Sequence, residues 1–310
     1  MSNDLVFLFD GTWNQAEDGN DDETNVEKLY RLFPDSSIDN LNYEKGVGTR
    51  INEKTSGGTL GYGIDKRILG AYRFLQSRFE RYKGDETPIR IFIFGFSRGA
   101  YTARVFAQLL SFSGVPVEGI VERAGWNNYL HQDEKAARNL KDKGDYFDVE
   151  IEMLGVWDTV KSSYHKDRND DILPLKVKAA YHAMAIDEKR SLFPILRFQS
   201  DKRITETWFA GVHSDIGGGY PSKESGLSDV TLEWMVNQAQ KHNLEFIPDW
   251  AEYLAPNPLE DMHDSFKGAL AAGGESYRKI STDDDIHESV LKRIKGRDDY
   301  RPENLPAGLT

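Results

Sequence analysis

The stretch IFIFGFSRGAYTAR, residues 91–104, constrains the fold of this chain more than any other. An apolar run leads into a Gly-x-Ser-x-Gly corner centred on Ser97, and a mostly apolar run with helical character follows it. The pattern alone is weak, but between a strand and a helix it is typical of a nucleophile on a sharp, strained turn. Bulky neighbours would clash in such a turn, so Gly95 and Gly99 suit it. The stretch therefore predicts a strand, a turn at Ser97 and a helix, with a plain turn as the alternative.

Other apolar runs also end at polar or glycine-containing corners, as buried strands of a parallel sheet do. Helical spacing of apolar residues separates them. The predicted strands are residues 5–9, 89–94, 149–156 and 205–212, and the predicted helices are residues 64–82, 98–110, 175–190 and 227–242. Strands that alternate with helices indicate an α/β fold, with a mainly parallel central sheet flanked by helices on both faces.

The chain shows no internal repeat and no low-complexity linker, so we expect its 310 residues to form a single domain, 1–310. Residues 114–147 are more polar and carry a helical charge pattern. They predict a helical insertion over one end of the sheet, with part of a lid as a further interpretation. Residues 243–310 hold more turns and fewer long periodic runs, which predicts a loop-rich C-terminal segment that wraps the main domain.

Composition excludes several classes of function. A net charge of −12 argues against broad nucleic-acid binding and against strong electrostatic attachment to anionic lipid. The absence of cysteine excludes thiol catalysis and disulfides and fits a reducing cytosol. The beginning, MSNDLVFLFDGTWN, lacks the features of a signal peptide, and no apolar run approaches the roughly 18 residues of a membrane span. We therefore expect a cytoplasmic protein without a transmembrane segment, or one secreted by a route that needs no signal peptide.

A serine nucleophile needs a base, and His213 is the best candidate among the seven histidines. It ends the apolar run TWFAGV and is followed by Ser214, Asp215 and three glycines, which allow a loop to approach the site closely. A capping histidine in a tight turn is the alternative. His182 has helical spacing, which favours a packed or surface role, and His287 is a rival base in a capping or packing position.

Asp158 is the candidate that orients the base, because it directly follows the strand predicted at residues 149–156. The chain order Ser97, Asp158, His213 is then the order of the α/β-hydrolases. Asp215 competes for this role, but it is only two positions from His213. A carboxylate that close in sequence is expected to brace the loop instead.

An oxyanion hole requires two backbone amides that point at one position. Arg98, the residue after the serine, would supply one amide, and Thr12 in FDGTWN would supply the other, with Gly11 permitting a close turn. Asp10 is expected to brace this loop. Asp10, Asp158 and His213 could instead bind a hard cation, but no compact motif such as HExxH is present, so we expect neither metal nor cofactor.

With these motifs in order, the chain resembles the DUF2235 family of α/β-hydrolase-like proteins, which includes the lipase effectors of the Tle1 group in type VI secretion. The matching segments span almost the whole chain. They are FDGTWN, TNVEKLY, YEKGVGT, GYGIDKRILGAYRFL, FGFSRGAYTAR, LGVWDTVKS, AMAIDEKR, WFAGVHSDIGGGY, IHESVLKR and YRPENLP. The resemblance implies a serine-hydrolase fold with a lipase or esterase-type site, in which Ser97 is the nucleophile, His213 the base and Asp158 the acid.

These observations predict a cofactor-independent serine hydrolase that cleaves a lipid or other acyl ester through an acyl-enzyme. Its partner would be a small-molecule or lipid ester, with peripheral membrane contact left open and oligomeric state undetermined. The alternative is a non-catalytic binding or assembly protein that has kept the hydrolase fold. A phosphoester or amide substrate is a third hypothesis, because a fold does not select the leaving group.

Overall fold

Seven strands pair into one sheet, and every pairing between neighbours in it is parallel. The structure is a computed structural model. It describes residues 3–11, 22–46, 58–161, 170–267 and 273–308, with the backbone alone for residues 58–63. The α/β fold with a parallel central sheet that the sequence predicted is confirmed.

The strands of the described residues are β1 (Asn3–Phe9), β2 (Asp22–Thr24), β3 (Leu41–Glu44), β4 (Ile89–Phe96), β5 (Val115–Pro116), β6 (Tyr146–Phe147), β7 (Ile151–Trp157), β8 (Ala180–Ala185), β9 (Ile204–Phe209), β10 (Gly218–Pro221) and β11 (Asp285–Ile286). The α-helices are α1 (Asn25–Arg31), α2 (Gly58–Arg81), α3 (Arg98–Ser113), α4 (Arg123–Leu130), α5 (Glu134–Asp142), α6 (His213–Gly217), α7 (Gly226–Lys241) and α8 (Glu288–Gly296). These helices and strands alternate from β2 to α4, whereas β6, β7, β8 and β9 follow one another with no α-helix among the described residues between them.

The order of strands across the sheet is β3, β1, β4, β7, β8, β9, β11. From β1 the chain goes first to β3 on one side and then to β4 on the other, so β1 and β4 flank a topological switch point. In open parallel sheets, ligands bind in the crevice outside the carboxyl ends of the strands at such a point. Phe9 at the end of β1 is in register with Gly95 of β4. Ser97 therefore directly follows the strand end where a site is expected.

Both faces of the sheet are buried, as a sheet of this class requires. Strand β1 alternates between them: Leu5 and Phe7 pack into the cluster on the side of α2 and α3, whereas Val6 and Leu8 pack into the cluster on the side of α1 and α7. A third, smaller cluster at the β9 edge includes Trp208 of β9 and packs against α8. The sheet thus separates two main hydrophobic cores, and the carboxyl ends of its strands lie where a site is expected.

The predicted helix over residues 175–190 is wrong, because its centre forms strand β8 (Ala180–Ala185). The sequence AYHAMA contains helix-forming residues, but it lies between β7 and β9 and is almost completely buried. Backbone pairing on both sides therefore overrides the local helix propensity. The strand predicted at residues 205–212 ends earlier, at Phe209, since His213 begins the short helix α6.

Residues 114–147 form β5, α4, α5 and β6 and pack against the C-terminal end of α3. Trp126 and Tyr129 are buried there, and Ser113 Oγ, near that end of α3, donates a hydrogen bond to the Gly125 carbonyl. Ser97 precedes the opposite end of α3, so this is not the position that a lid over Ser97 would occupy.

The C-terminal segment, residues 243–308, contributes β11 at the sheet edge and α8 beside it. No helix in the described parts of the chain is both long enough and apolar enough to cross a bilayer.

Candidate active site

The turn between β4 and α3 carries Ser97 in an unusual backbone conformation, with φ of 58° and ψ of −124°. Residues other than glycine rarely adopt a positive φ, which costs on the order of 1–3 kcal/mol. The turn is held by hydrogen bonds: the Ser97 amide donates to the Trp157 carbonyl over 3.0 Å, and the Ser97 carbonyl accepts from the Tyr101 amide over 3.2 Å. The strain is therefore maintained by the neighbouring strand and by the helix that follows.

The two glycines beside Ser97 permit backbone to pack on backbone. A Cβ atom on Gly99 would lie 2.1 Å from the Phe9 carbonyl oxygen, and a Cβ atom on Gly95 would lie 2.6 Å from the Gly99 carbonyl oxygen. Real Cβ atoms do not approach other atoms so closely. The first turn of α3 thus sits directly against the ends of β1 and β4, and neither glycine position has room for a side chain.

His213 begins α6, and its imidazole lies between the serine and a carboxylate. Its Nε2 atom is 2.8 Å from Ser97 Oγ, and its Nδ1 atom is 2.6 Å from Asp158 Oδ2. The ring also contacts the rings of Phe96 and Phe193 at centroid distances of 4.7 and 5.1 Å. With the Nδ1 proton donated to the carboxylate, Nε2 has a lone pair available for the serine hydroxyl. The structure therefore brings together the three side chains that the sequence singled out.

Asp158 directly follows β7 and is fully buried, with a φ of 40°. Its Oδ1 accepts from the Ala185 amide over 2.9 Å and from Arg278 Nη1, and its Oδ2 accepts from Arg278 Nη2 over 2.8 Å. Burial alone would raise the pKa of Asp158. The charge of Arg278 and the hydrogen bonds from His213 and Arg278 outweigh it and hold the pKa well below its usual range. These contacts thus favour the ionised form of the Asp158 carboxylate.

Sequence reasoning missed Arg278, and its neighbours in ESYRKI carry no motif that would single it out. The contact joins positions 120 residues apart in the chain. Nothing local distinguishes this arginine from one on the surface.

Sequence reasoning also missed the role of His182, which lies beside the turn at Asp158. The Thr159 amide donates to His182 Nε2 over 3.1 Å, and His182 Nδ1 lies 2.9 Å from Glu206 Oε1. Burial lowers the pKa of His182, which favours the neutral ring that this arrangement needs: Nδ1 donates and Nε2 accepts. His182 is packed, as expected, but in a strand, where it holds the residue after Asp158.

Asp215 braces its own helix. Its Oδ2 accepts from the Val212 amide over 3.1 Å, and its Oδ1 lies 2.7 Å from Nδ1 of His263 in the C-terminal segment. The hydrogen bond to Asp215 raises the pKa of His263. His287, the rival base, lies with its Nδ1 at the start of α8, where it accepts from the Ser289 amide over 3.3 Å, and it stacks on Phe209.

The loop after β1 is described only as far as Gly11, so the predicted oxyanion residue Thr12 lies outside the described residues. Asp10 Oδ1 accepts from the Gly11 amide over 2.6 Å, and its Oδ2 accepts from the hydroxyls of Tyr43 and Thr24 over 2.6 and 3.0 Å. Burial raises the pKa of Asp10. These contacts fit a bracing role and leave Asp10 engaged with neutral donors.

Arg98 supplies the first amide of α3, at the positive end of the helix dipole. Burial, together with the nearby charge of Arg67, lowers the pKa of the Arg98 guanidinium to about 10. Arg98 therefore stays charged at neutral pH. The surroundings of Ser97 favour a developing negative charge.

Residues 3–238 match a family model described as "T6SS, Phospholipase effector Tle1-like, catalytic domain", where T6SS denotes the type VI secretion system. Among curated proteins, the uncharacterized protein YEL023C of Saccharomyces cerevisiae is similar, with 29% identity over 232 residues. That alignment covers 63% of this chain and 32% of the yeast protein.

Two solved structures are similar over most of the chain. An uncharacterized protein from Pseudomonas aeruginosa shows 18% identity and a TM-score of 0.49 over 82% of this chain and 48% of that one. A Tle1 effector bound to the VgrG spike of the type 6 secretion system shows 21% identity and a TM-score of 0.43 over 72% of this chain and 52% of that one. The chain thus spans about a third to a half of the length of these relatives.

Proposed function

Because this chain belongs to the Tle1-like family of catalytic domains from type VI secretion phospholipase effectors, we propose that it is a serine hydrolase that cleaves a lipid ester through an acyl-enzyme. The main support is the unbroken chain of hydrogen bonds from Ser97 Oγ through His213 to Asp158. A strained serine at a strand end, next to a topological switch point, is costly to maintain for packing alone.

In this mechanism Ser97 Oγ attacks the ester carbonyl carbon while His213 Nε2 takes its proton. The tetrahedral intermediate then collapses, the bond to the leaving alcohol breaks, and His213 returns the proton to that alcohol. Water, deprotonated by the same Nε2, then attacks the acyl carbon. The bond from that carbon to Ser97 Oγ breaks, the acid leaves, and His213 returns the proton to Ser97 Oγ. Asp158 keeps His213 in the tautomer with a proton on Nδ1 and stabilises the imidazolium that forms.

The negative charge on the carbonyl oxygen needs two donors in the intermediate. The Arg98 amide at the start of α3 is the first proposed donor, and the Thr12 amide is the second. No step uses a metal or an organic cofactor.

Replacing the nucleophile tests the proposal directly. We expect Ser97→Ala to lower kcat by roughly 10⁶-fold, as removal of a nucleophile acting with its base does in other serine hydrolases, and to abolish labelling by a fluorophosphonate. Ser77→Ala is the matched control, because Ser77 lies on the exposed side of α2 and its hydroxyl donates to the Phe74 carbonyl. Normal turnover by Ser97→Ala would refute the assignment. A wild-type protein that no probe labels would favour the binding-protein alternative.

The lipid part of the proposal has its own test. p-Nitrophenyl esters of increasing acyl length, assayed beside phospholipid vesicles, should show activity that rises with chain length and extends to the vesicles. Activity confined to the shortest esters would contradict a lipid substrate and leave the serine mechanism intact.

A further inference from the structure

A buried arginine outside the residues that match the family model contacts Asp158, the proposed acid. Arg278 is 40 residues past residue 238, where the match ends. Its guanidinium donates one hydrogen bond to each oxygen of Asp158. Only 6% of the Arg278 surface is exposed, and Asp158 is not exposed at all. The two form a bidentate ion pair inside the protein, the geometry for which arginine is suited and lysine is not.

The fold holds the guanidinium independently of the carboxylate. Arg278 Nη1 also donates to the Ala185 carbonyl over 2.9 Å, and Nη2 donates to the Phe193 carbonyl over 3.2 Å. Phe193 is the residue whose ring also contacts His213. With two backbone acceptors defining its plane, the guanidinium offers a fixed template on which the carboxylate of Asp158 is aligned.

Alignment of this carboxylate decides which nitrogen of His213 is protonated. Oδ2 must accept from Nδ1 for Nε2 to have a free lone pair toward Ser97. Without Arg278, the buried carboxylate would keep the Ala185 amide and His213 as donors, and burial would favour its protonated form. A protonated carboxyl donates rather than accepts, which would reverse the tautomer of His213 and leave Nε2 unable to take the serine proton.

We propose that Arg278 is a positioning residue, which holds the Asp158 carboxylate so that Oδ2 accepts the Nδ1 proton of His213. The inference rests on the proposed function for its catalytic consequence. Its structural claim, that Arg278 maintains the hydrogen bond between Asp158 and His213, can be tested whether or not the protein hydrolyses an ester. The segment after residue 238 would then complete the site as well as cover the sheet edge.

Two measurements on Arg278→Ala and Arg278→Lys test the inference. A proton in a short hydrogen bond between imidazole and carboxylate gives a resonance at very low field in the ¹H NMR spectrum, and His213→Ala assigns it by its loss. We expect this resonance to disappear or shift strongly in Arg278→Ala. We expect kcat on a p-nitrophenyl ester to fall at least about 10- to 100-fold, as for a misplaced catalytic group, with little change in KM. Added guanidinium ion should restore part of kcat in Arg278→Ala alone.

Arg293→Lys is the matched control, since Arg293 is also buried in the C-terminal segment and donates to the carbonyls of Pro258 and Glu260 instead. It should keep both the resonance and kcat even if its thermal midpoint falls. If Arg278→Ala does not fold, Arg278→Lys is decisive, because it retains the charge and loses the bidentate geometry. An unchanged resonance in a folded Arg278 variant would overturn the inference. A changed resonance in a protein without any hydrolase activity would uphold it and refute the proposed function.

Discussion

Two turns at strand ends of this protein each hold a strained backbone conformation, and they are supported in different ways. The nucleophile corner (residues 95–99, with the proposed nucleophile Ser97) and the acid corner (residues 157–160, with the proposed acid Asp158) each hold a residue other than glycine at positive φ. The φ angle is 58° at Ser97 and 40° at Asp158. Glycines within the nucleophile corner let backbone pack on backbone. The acid corner is held by hydrogen bonds with distant side chains: His182 accepts from the Thr159 amide, and Arg278 donates to Asp158. The strained residue is therefore supported by close backbone contacts that glycines permit in one corner, and by distant side chains in the other.

The carboxylates at the two corners also differ, in whether a cation is bonded to them. Asp10, beside the nucleophile corner, accepts from neutral donors, and burial raises its pKa. Asp158 pairs with a buried arginine, which holds its pKa well below the usual range despite burial. Burial without a cation bonded to the carboxylate favours the protonated form, whereas pairing with a fixed cation favours the ionised form.

Apart from removal of Ser97 itself, the largest effect is expected at the acid corner. Asp158→Asn should lower kcat by roughly 10⁴-fold, the loss seen in serine proteases when the acid is replaced by its amide and the histidine takes the wrong tautomer. The substitution also leaves the charge of Arg278 buried without its partner, which should cost on the order of 3–5 kcal/mol of unfolding free energy. Steady-state kinetics and urea unfolding measure the two effects. A variant that retains both activity and stability would show that the acid corner does not depend on this ion pair.

A single added methyl group in the nucleophile corner should lower the stability of the protein. Gly99→Ala places a Cβ 2.1 Å from the Phe9 carbonyl, and because the obstacle is backbone the clash has no side chain to absorb it. We expect the free energy of unfolding to fall by about 3 kcal/mol or more, as for severe overpacking. In Gly70→Ala on α2, the new Cβ would meet only the end of the Glu44 side chain, so that variant should cost much less. Equal stability of the two variants would mean that close backbone packing does not support the corner.

The smallest effect is the pH dependence at Asp10. Its folded pKa is raised, so its contribution to stability is fully present below the unfolded pKa of about 3.9 and is lost as pH rises through the folded pKa. Asp10→Asn keeps a neutral group there, and the hydroxyls of Thr24 and Tyr43 can turn to accept its amide protons. The stability of the variant relative to wild type should therefore increase between about pH 4 and pH 7 in urea unfolding. If the relative stability of the variant instead decreased over this pH range, the folded protein would stabilise the charged form of Asp10, as it does for Asp158.

Much of the sheet and part of the site could be predicted because their signals are local. Strands β1, β4 and β7 are apolar runs that end at polar residues. Ser97 and Asp158 directly follow β4 and β7, and His213 follows the apolar run that begins in β9. Parallel strands place these ends at one edge, so residues far apart in the chain meet without any pairwise signal. Strand β8 was missed because AYHAMA has no strand-like alternation, being buried on both faces.

The sequence by itself determined the corner that needs glycines, the parallel α/β class and the chain order of the serine, the carboxylate and the histidine. These features depend on residues that are close together in the sequence. Glycines are needed where side chains would clash, and the spacing of buried apolar residues distinguishes strands from helices. The tertiary structure alone decided that β8 is a strand, that His182 supports the acid corner and that Arg278 aligns Asp158. Each of these depends on burying a polar or charged group where a distant partner satisfies it, and the free energy of such a contact belongs to the pair and not to either residue.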